Sequence, residues 1–410
     1  MKLVTVNISS ISLGKPLPFA VRTADGVLLA SKGYVFSERE ALDTLALHGT
    51  LYTDQEERRA FNRALASQMN SMVNDQSTTL GKMADSEIGE LSPQAAPQGN
   101  LLSDDLLPES DGPSDWLDMQ SRANNLLRDP HSLRFLHRLD RLHNELNAMV
   151  KRNPDSTLFA LIHLTASETL HYSATHAMLV CVMCSLAARD VLNWSPEIEK
   201  AMGRAALTMN MSMTELQDHL TTQRSGLTAE QRKLVDTHPA RSVELLQKCG
   251  VTDPLWLGAI LHHHAALSGP LSGRLPAQQI ARLIHRADSF AARLSPRAMR
   301  KSMTPSAAMQ ATYFDEGKKV DEAGASLIKA VGIYPPGSFV KLASNEIATV
   351  TRRGVNTLTP RVAVLVNRDG MPMAEPAIRD TRLPGYRIVA SVNIRDIKVR
   401  SDLLRLLALT

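Results

Sequence analysis

Five histidines and one aspartate stand where a helical chain could gather metal ligands: His176, His238, the run His262-His263-His264, and Asp288. Each lies on or beside a stretch with helical periodicity. Helical domains build metal sites from side chains that project inward from several helices, so dispersal along the chain is no obstacle. Successive helix positions point about 100° apart, so at most two of three consecutive histidines can face one centre. A histidine on an apolar helix can equally be a hydrogen-bonded core residue, and the residue types alone leave both readings open.

Cys181 and Cys184 form a C-x-x-C inside an apolar helical run. A four-ligand zinc site needs partners that no second pair supplies, so both read as buried thiols. Three cysteines in all cannot make a disulfide framework, which fits a reducing compartment.

The elements that must position these groups are mostly helices. From Pro130 to Val331 the chain reads as helical. Leu133, Leu136, Leu139, Leu142, Leu146 and Met149 recur at helical spacing up to a stop at Pro154. Further helices are expected at 171–190, 196–208, 228–236, 239–248, 254–264, 276–294, 305–316 and 321–331. Thr228 with Gln231, Asp253-Pro254 and Thr304-Pro305 supply helix starts. After Val331 the pattern turns to short strands: Phe339–Leu342, Glu346–Val350, Pro360–Val366 and Tyr386–Val392, with turns at Asn345 and Asp369-Gly370. Ser401 caps an expected last helix carrying Leu403, Leu404 and Leu407.

Ahead of the helices, Leu17 to Phe36 alternates around Asp25-Gly26, a two-residue hairpin signal. Ser37 to Glu40 reads as a capping box for a helix ending at His48-Gly49. Asn74 to Met119 holds ten acids and one base, Lys82, within a chain of net charge +4, and Asn74 to Pro113 reads as a linker. Leu101, Leu102, Leu106 and Leu107 interrupt that acidic stretch. The fold class is thus mainly α, a helical bundle with a small C-terminal β element and a small N-terminal hairpin-helix module. The expected divisions are residues 1–70, an acidic linker at 71–120, the helical domain at 121–335 and the β-rich element at 336–410.

Composition excludes several classes. At 410 residues with 43% apolar and 21% charged, most of the chain is globular. Aromatics at 4% weigh against a single-strand RNA binder built on stacking platforms, and the charge outside the linker is no nucleic-acid footprint. The longest apolar run, Ala177 to Ala188, is too short for a bilayer span of about 20 residues. No signal peptide is evident, and a cytoplasmic protein is expected.

The order of the motifs narrows the reading. Tyr172 to about Val350 resembles the HD-GYP family, metal-dependent phosphohydrolases of the HD superfamily that hydrolyse cyclic di-GMP in bacterial signal transduction. The likeness is carried by VGIYPPGSFVKL (Val331 to Leu342), by RADSFAARLSPRAMRK (Arg286 to Lys301), by SGLTAEQRKLVDTHPARSVELL (Ser225 to Leu246) and by ILHHHAALSGPLSGRLPAQQIARLIHRAD (Ile260 to Asp288). It implies an HD-type bundle. It also implies one metal position at His238, His263 and His264, a second at His176 and Asp288, and phosphate contacts from Arg297 and Arg300.

The same likeness marks losses. Tyr172 stands where the family has a metal-binding Glu. Met209 and Asn210 stand for the naming His-Asp pair, and Met213 for the Lys that follows. Ala265 replaces a usual Glu, and Ser268-Gly269-Pro270-Leu271-Ser272-Gly273 replaces the Gly-Tyr-Pro loop. A neutral Asn cannot bridge two dications as a carboxylate does, and a thioether is a poor ligand for hard metals. The resemblance therefore implies a degenerate member that acts by binding, as a cyclic di-GMP receptor or a scaffold for signalling partners. The alternative is a weak or altered phosphodiesterase on a residual metal. No cofactor is required on this reading, and one Zn or Fe is the most the ligands would hold. The favoured state of the three imidazoles is packed polar residues bonded to each other or to Asp288. The basic stretch Arg282 to Lys301 reads as a solvated helical face or a vestigial phosphate surface.

Overall fold

Tyr172 to Ala188 is buried along its whole length, and a helix that is apolar all round belongs at the centre of a bundle. In the computed structural model this helix, α4 (Tyr172–Asp190), is the rod on which the others pack. The structure describes residues 3–6, 17, 19–23, 28–35, 51–54, 116–167, 169–265, 270–397 and 403–410. It divides into two compact units, Met1–Ser114 and Asp115–Thr410.

In the first unit β2 (Val21–Arg22) and β3 (Leu28–Ala30) form the expected antiparallel hairpin. They extend through β4 (Leu51–Asp54) to β1 (Leu3–Val6), in the order β1-β4-β2-β3. The Leu51–Asp54 strand has no counterpart in the sequence reading. The Asp25-Gly26 turn, the Ser37 capping box and the acidic linker lie outside the described residues.

The second unit begins with three helices that lead to the rod: α1 (Trp116–Arg128), α2 (Phe135–Arg152) and α3 (Pro154–Ser167). Then follow α5 (Pro196–Thr208), a 3-10 turn at Met211–Met213, α6 (Thr214–Thr222), α7 (Ala229–Lys248) and α8 (Pro254–His262). The bundle closes with α9 (Pro276–Leu294), α10 (Pro305–Thr312) and α11 (Glu322–Val331). Starts occur where their chemistry puts them. The Asp253 carboxylate accepts from the Leu255 N–H at 2.9 Å, and Thr228 with Gln231 forms a full capping box on α7.

Several expectations change here. Helices α1, α3 and α6 were not read from the sequence. Pro154 does stop α2, but it also opens α3 as its first residue, a position where the missing N–H costs nothing. Leu133 lies outside the apolar stripe and is 97% exposed. Segments 228–236 and 239–248 are one helix with Pro239 inside it, and α10 stops at Thr312 rather than 316. The basic helix stops at Leu294. It is no solvated face: Arg282 and Arg286 turn inward, and Asp321 and Glu316 pair with both.

The β element is larger than expected. Strands β5 (Phe339–Leu342), β6 (Ile347–Arg352), β7 (Arg361–Val366), β8 (Pro372–Asp380) and β9 (Ile388–Val392) form an antiparallel sheet in the order β8-β7-β6-β5-β9. β8 was missed because it opens on a proline and is mostly exposed, as an edge strand permits. Phe159 of α3 packs with Phe339, Leu365 and Leu406, the last on α12 (Leu403–Leu407), so sheet and bundle share apolar cover. No described helix is long and apolar enough to cross a membrane.

Candidate metal centre

Pro239 determines how His238 is presented. A proline inside a helix frees the carbonyl four residues earlier, here that of Val235. His238 Nδ1 donates to that carbonyl at 2.5 Å, which repairs the gap in α7 and leaves Nε2 as the ring's lone-pair nitrogen. His263, just past the last residue of α8, repeats the device: its Nδ1 donates to the Ile260 carbonyl at 2.6 Å. The two Nε2 atoms then face each other at 3.1 Å, on side chains that are 1% and 0% exposed. His264 closes the group, with ring centroids 4.1 Å from His263 and 5.0 Å from His238. One nitrogen from each of the three rings lies within 4.8 Å of the others, and His264 is the exposed member.

This geometry bears on how the imidazoles are held. Both Nδ1–H groups are committed to carbonyls, so a hydrogen bond between His238 and His263 would require one ring to be an imidazolium. Burial, aided by the neighbouring His264, opposes that. It lowers the His238 pKa to about 4 and that of His263 to about 3. Two neutral lone pairs opposed at 3.1 Å repel unless a cation lies beside them. Neutral imidazoles whose second nitrogen is fixed by a carbonyl are how metal-ligating histidines are usually oriented. The donor set therefore fits one borderline ion such as Zn, which would act as a Lewis acid toward a phosphoryl oxygen or bound water. The expected packed state, with imidazoles bonded only to one another or to Asp288, fits this geometry less well. Asp288 takes its bond from His176.

The opposite wall is built differently. His176 on α4 donates from Nε2 to Asp288 Oδ1 on α9 at 2.7 Å. The His176 Nδ1 lies 3.3 Å from the Tyr172 hydroxyl, one turn earlier on the same helix. Arg297 Nη2 donates to that hydroxyl at 3.2 Å, and its guanidinium sits 5.8 Å from the Tyr172 ring centre. Burial raises the Asp288 pKa, but the His176 hydrogen bond and the nearby imidazoles outweigh it and hold the carboxyl below the usual range. Arg300 Nη2 donates to the Ala292 carbonyl.

The remaining positions read from the sequence sit around this core. Met209 is fully buried in the main apolar cluster at the end of α5. Asn210 follows it, and its Oδ1 is buried without a hydrogen-bond partner among the described residues. His262, last in α8, is not part of the three-ring group, as helix geometry required. Cys181 and Cys184 are buried thiols.

Two contributors escaped the sequence reading. Ser212 Oγ donates to the His238 carbonyl at 3.0 Å and ties the Met211–Met213 turn to the proline-broken turn of α7. His285 stands edge-on to His264 at 5.7 Å, with Nε2 3.5 Å from a Glu316 carboxylate oxygen. His285 could have been noticed, because it lies three residues before Asp288 on one helix and so shares its face. Ser212 had no such signal.

Comparison with known proteins agrees with this architecture. Residues 157–324 match a family model described as an HD domain. A cyclic di-GMP phosphodiesterase of Pseudomonas aeruginosa is 27% identical over 266 residues, 62% of this chain and 63% of that protein. The chain thus spans less than two thirds of that relative's length. A solved HDG"Y"P protein from Bdellovibrio bacteriovorus aligns with 80% of this chain and 98% of its own at 14% identity, with a TM-score of 0.41. Helical order and clustered imidazoles accompany this sequence likeness: residues 157–324 match the HD-domain model, and the chain is similar to a cyclic di-GMP phosphodiesterase.

Proposed function

We propose that this chain is an HD-GYP-like signalling protein that binds cyclic di-GMP without hydrolysing it and holds at most one metal ion, at His238, His263 and His264. The observation that carries this reading is the contrast at the site. One nitrogen from each of three imidazoles lies within 4.8 Å of the others, while Met209 lies in the core and neutral Asn210 follows it, at the positions where the HD-GYP family that the sequence resembles has its His-Asp pair. Phosphodiester hydrolysis on two metals needs a bridging anion between ions about 3.5–4 Å apart, and an amide does not supply one.

In this reading Arg297 and Arg300 meet the phosphates. Arg297 is already turned toward the Tyr172 hydroxyl, and a phosphate oxygen is the stronger acceptor. The ligand's source chemistry comes from the Pseudomonas relative, named as a cyclic di-GMP phosphodiesterase. The second reading, weak hydrolysis on a residual metal, is favoured by the opposed lone pairs of His238 and His263.

Calorimetry with cyclic di-GMP tests the proposal, alongside metal analysis of the freshly purified protein. We expect binding that Arg297→Ala with Arg300→Ala abolishes while the fold stays intact, and no more than one metal per chain. Two metals per chain, or nucleotide binding unaffected by that double change, would overturn it. We further propose that residues 74–113 are a dispensable linker, because they offer little apolar surface to offset the cost of ordering backbone, about 1–2 kcal/mol per residue. Limited proteolysis should cut there before it cuts inside 171–331.

A further inference from the structure

A concavity beside the Met211–Met213 turn is not lined by the three imidazoles. It has a volume of about 510 Å³, bounded by the end of α1, the first turn of α6 and one face of α7. That size is in the range of small-molecule sites, about 300–1,000 Å³. None of His176, His238, His263, His264, Asp288, Arg297 or Arg300 lines it.

Its charged groups are unequally engaged. Arg128 is paired with Asp218 at 2.5 Å and, more loosely, with Glu215 at 3.6 Å. Arg241 and Lys248 face the same space from α7, with Glu244 as the acid between them. Arg241 uses Nη2 on the Ser212 carbonyl at 3.2 Å, but its Nη1 is buried with no hydrogen-bond partner among the described residues. A sequestered guanidinium N–H without an acceptor is costly, and a rotation of Arg241 toward the cavity would bring it to a ligand oxyanion that suits its fork. Leu234, Met213 and Leu245 complete the walls with apolar surface, enough to seat a small organic body.

We propose that this cavity binds a small organic oxyanion, a phosphate or carboxylate on a compact body, with Arg241 as its anchor. The site also reaches the imidazole cluster. Arg241 lies one turn after His238 on α7, and the Ser212 whose carbonyl Arg241 holds donates its own hydroxyl to the His238 carbonyl at 3.0 Å. An anion that draws Arg241 toward the cavity pulls on the turn that fixes His238.

Adenosine monophosphate and succinate serve as probes for the two oxyanion sources, titrated by calorimetry into the metal-free full chain. The expected result is saturable binding of at least one probe. It should be weakened at least about 10-fold by Arg241→Gln, the loss typical for a hydrogen bond to a charged group. Because Arg241→Gln also frees the Ser212 carbonyl, Leu234→Trp gives an independent check, since it fills the cavity without removing a bond. It should abolish binding with the thermal transition unchanged, whereas Arg297→Gln should leave binding intact. Preference for adenosine monophosphate assigns the phosphate source and preference for succinate the carboxylate source. Absence of binding by both probes at millimolar concentration would overturn the proposal. So would binding indifferent to Arg241→Gln and Leu234→Trp, or binding lost in Arg297→Gln instead.

Discussion

The two walls of the candidate centre handle their polar groups in opposite ways. On the wall made by His176, Asp288, Tyr172 and Arg297, the side chains pair with one another: imidazole to carboxylate at 2.7 Å, hydroxyl to imidazole at 3.3 Å, guanidinium Nη2 to hydroxyl at 3.2 Å, with only the buried Arg297 Nε left without a partner among the described residues. On the wall made by His238, His263 and His264, the first two spend their protons on backbone carbonyls and turn bare nitrogens toward each other. The ring, carboxylate and hydroxyl of the first wall are satisfied by the protein itself. The second needs a cation to be electrostatically sound. Two walls of one centre can therefore differ, one closing on itself while the other stays open.

Removing a ring from the open wall is the strongest way to break this contrast. His263→Ala should lower Zn affinity by more than about 100-fold, since even the partners that orient ligands cost 10–100-fold when lost. His176→Ala should change it by less than about 10-fold. Zn titration against a competing chelator reads both, and equal losses would erase the distinction between the walls.

Acid separates the walls next. Burial first, and the nearby Arg204 second, hold His143, which belongs to neither wall, down to about 4. His238 and His263 are likewise depressed, to about 4 and about 3. A base whose folded pKa lies below its unfolded value of about 6.5 contributes stability above pH 6.5. That stability is lost as pH falls toward the folded value, because the unfolded chain takes up the proton first. For His143 the loss between pH 7 and pH 5 is about 2 kcal/mol. Chemical denaturation of the apoprotein at both pH values should show a steep acid loss. His143→Gln should flatten it by that amount, and Zn should protect against the part due to the open wall.

The smallest effect concerns the closed wall. Tyr172→Phe removes the hydroxyl that joins His176 and Arg297, at a cost of about 1 kcal/mol in stability. It should leave the metal count unchanged. A rise to two metals on this change alone would mean that the hydroxyl merely blocks a position that is otherwise intact.

Much of this was legible in the sequence, for reasons that differ by element. α8 announces itself through Asp253-Pro254, and the edges of α5, α8 and α9 all fall within two residues of expectation. α7 was split in reading because Pro239 is a helix breaker by rule. The side chain that rescues it, His238, is visible only once its Nδ1 is seen on the Val235 carbonyl. α1 begins inside the stretch 71–120 that acidic composition marked as a linker, yet Trp116, Met119, Ala123, Leu126 and Leu127 are all buried against the bundle. At the site, the grouping of His238, His263 and His264 was readable from their order along the chain. The tautomers were not, because they depend on which carbonyls the rings meet in space. Nor was the engagement of Arg297 with Tyr172, whose residues stand 125 positions apart.

The central claim, binding without hydrolysis, is met most directly by equilibrium dialysis of the Zn- or Mn-supplied protein against cyclic di-GMP, with chromatography of the nucleotide on both sides. Nucleotide should be enriched on the protein side and recovered wholly as the intact cyclic dinucleotide. Recovery of the linear dinucleotide or of the mononucleotide, lost again in His263→Ala, would contradict it.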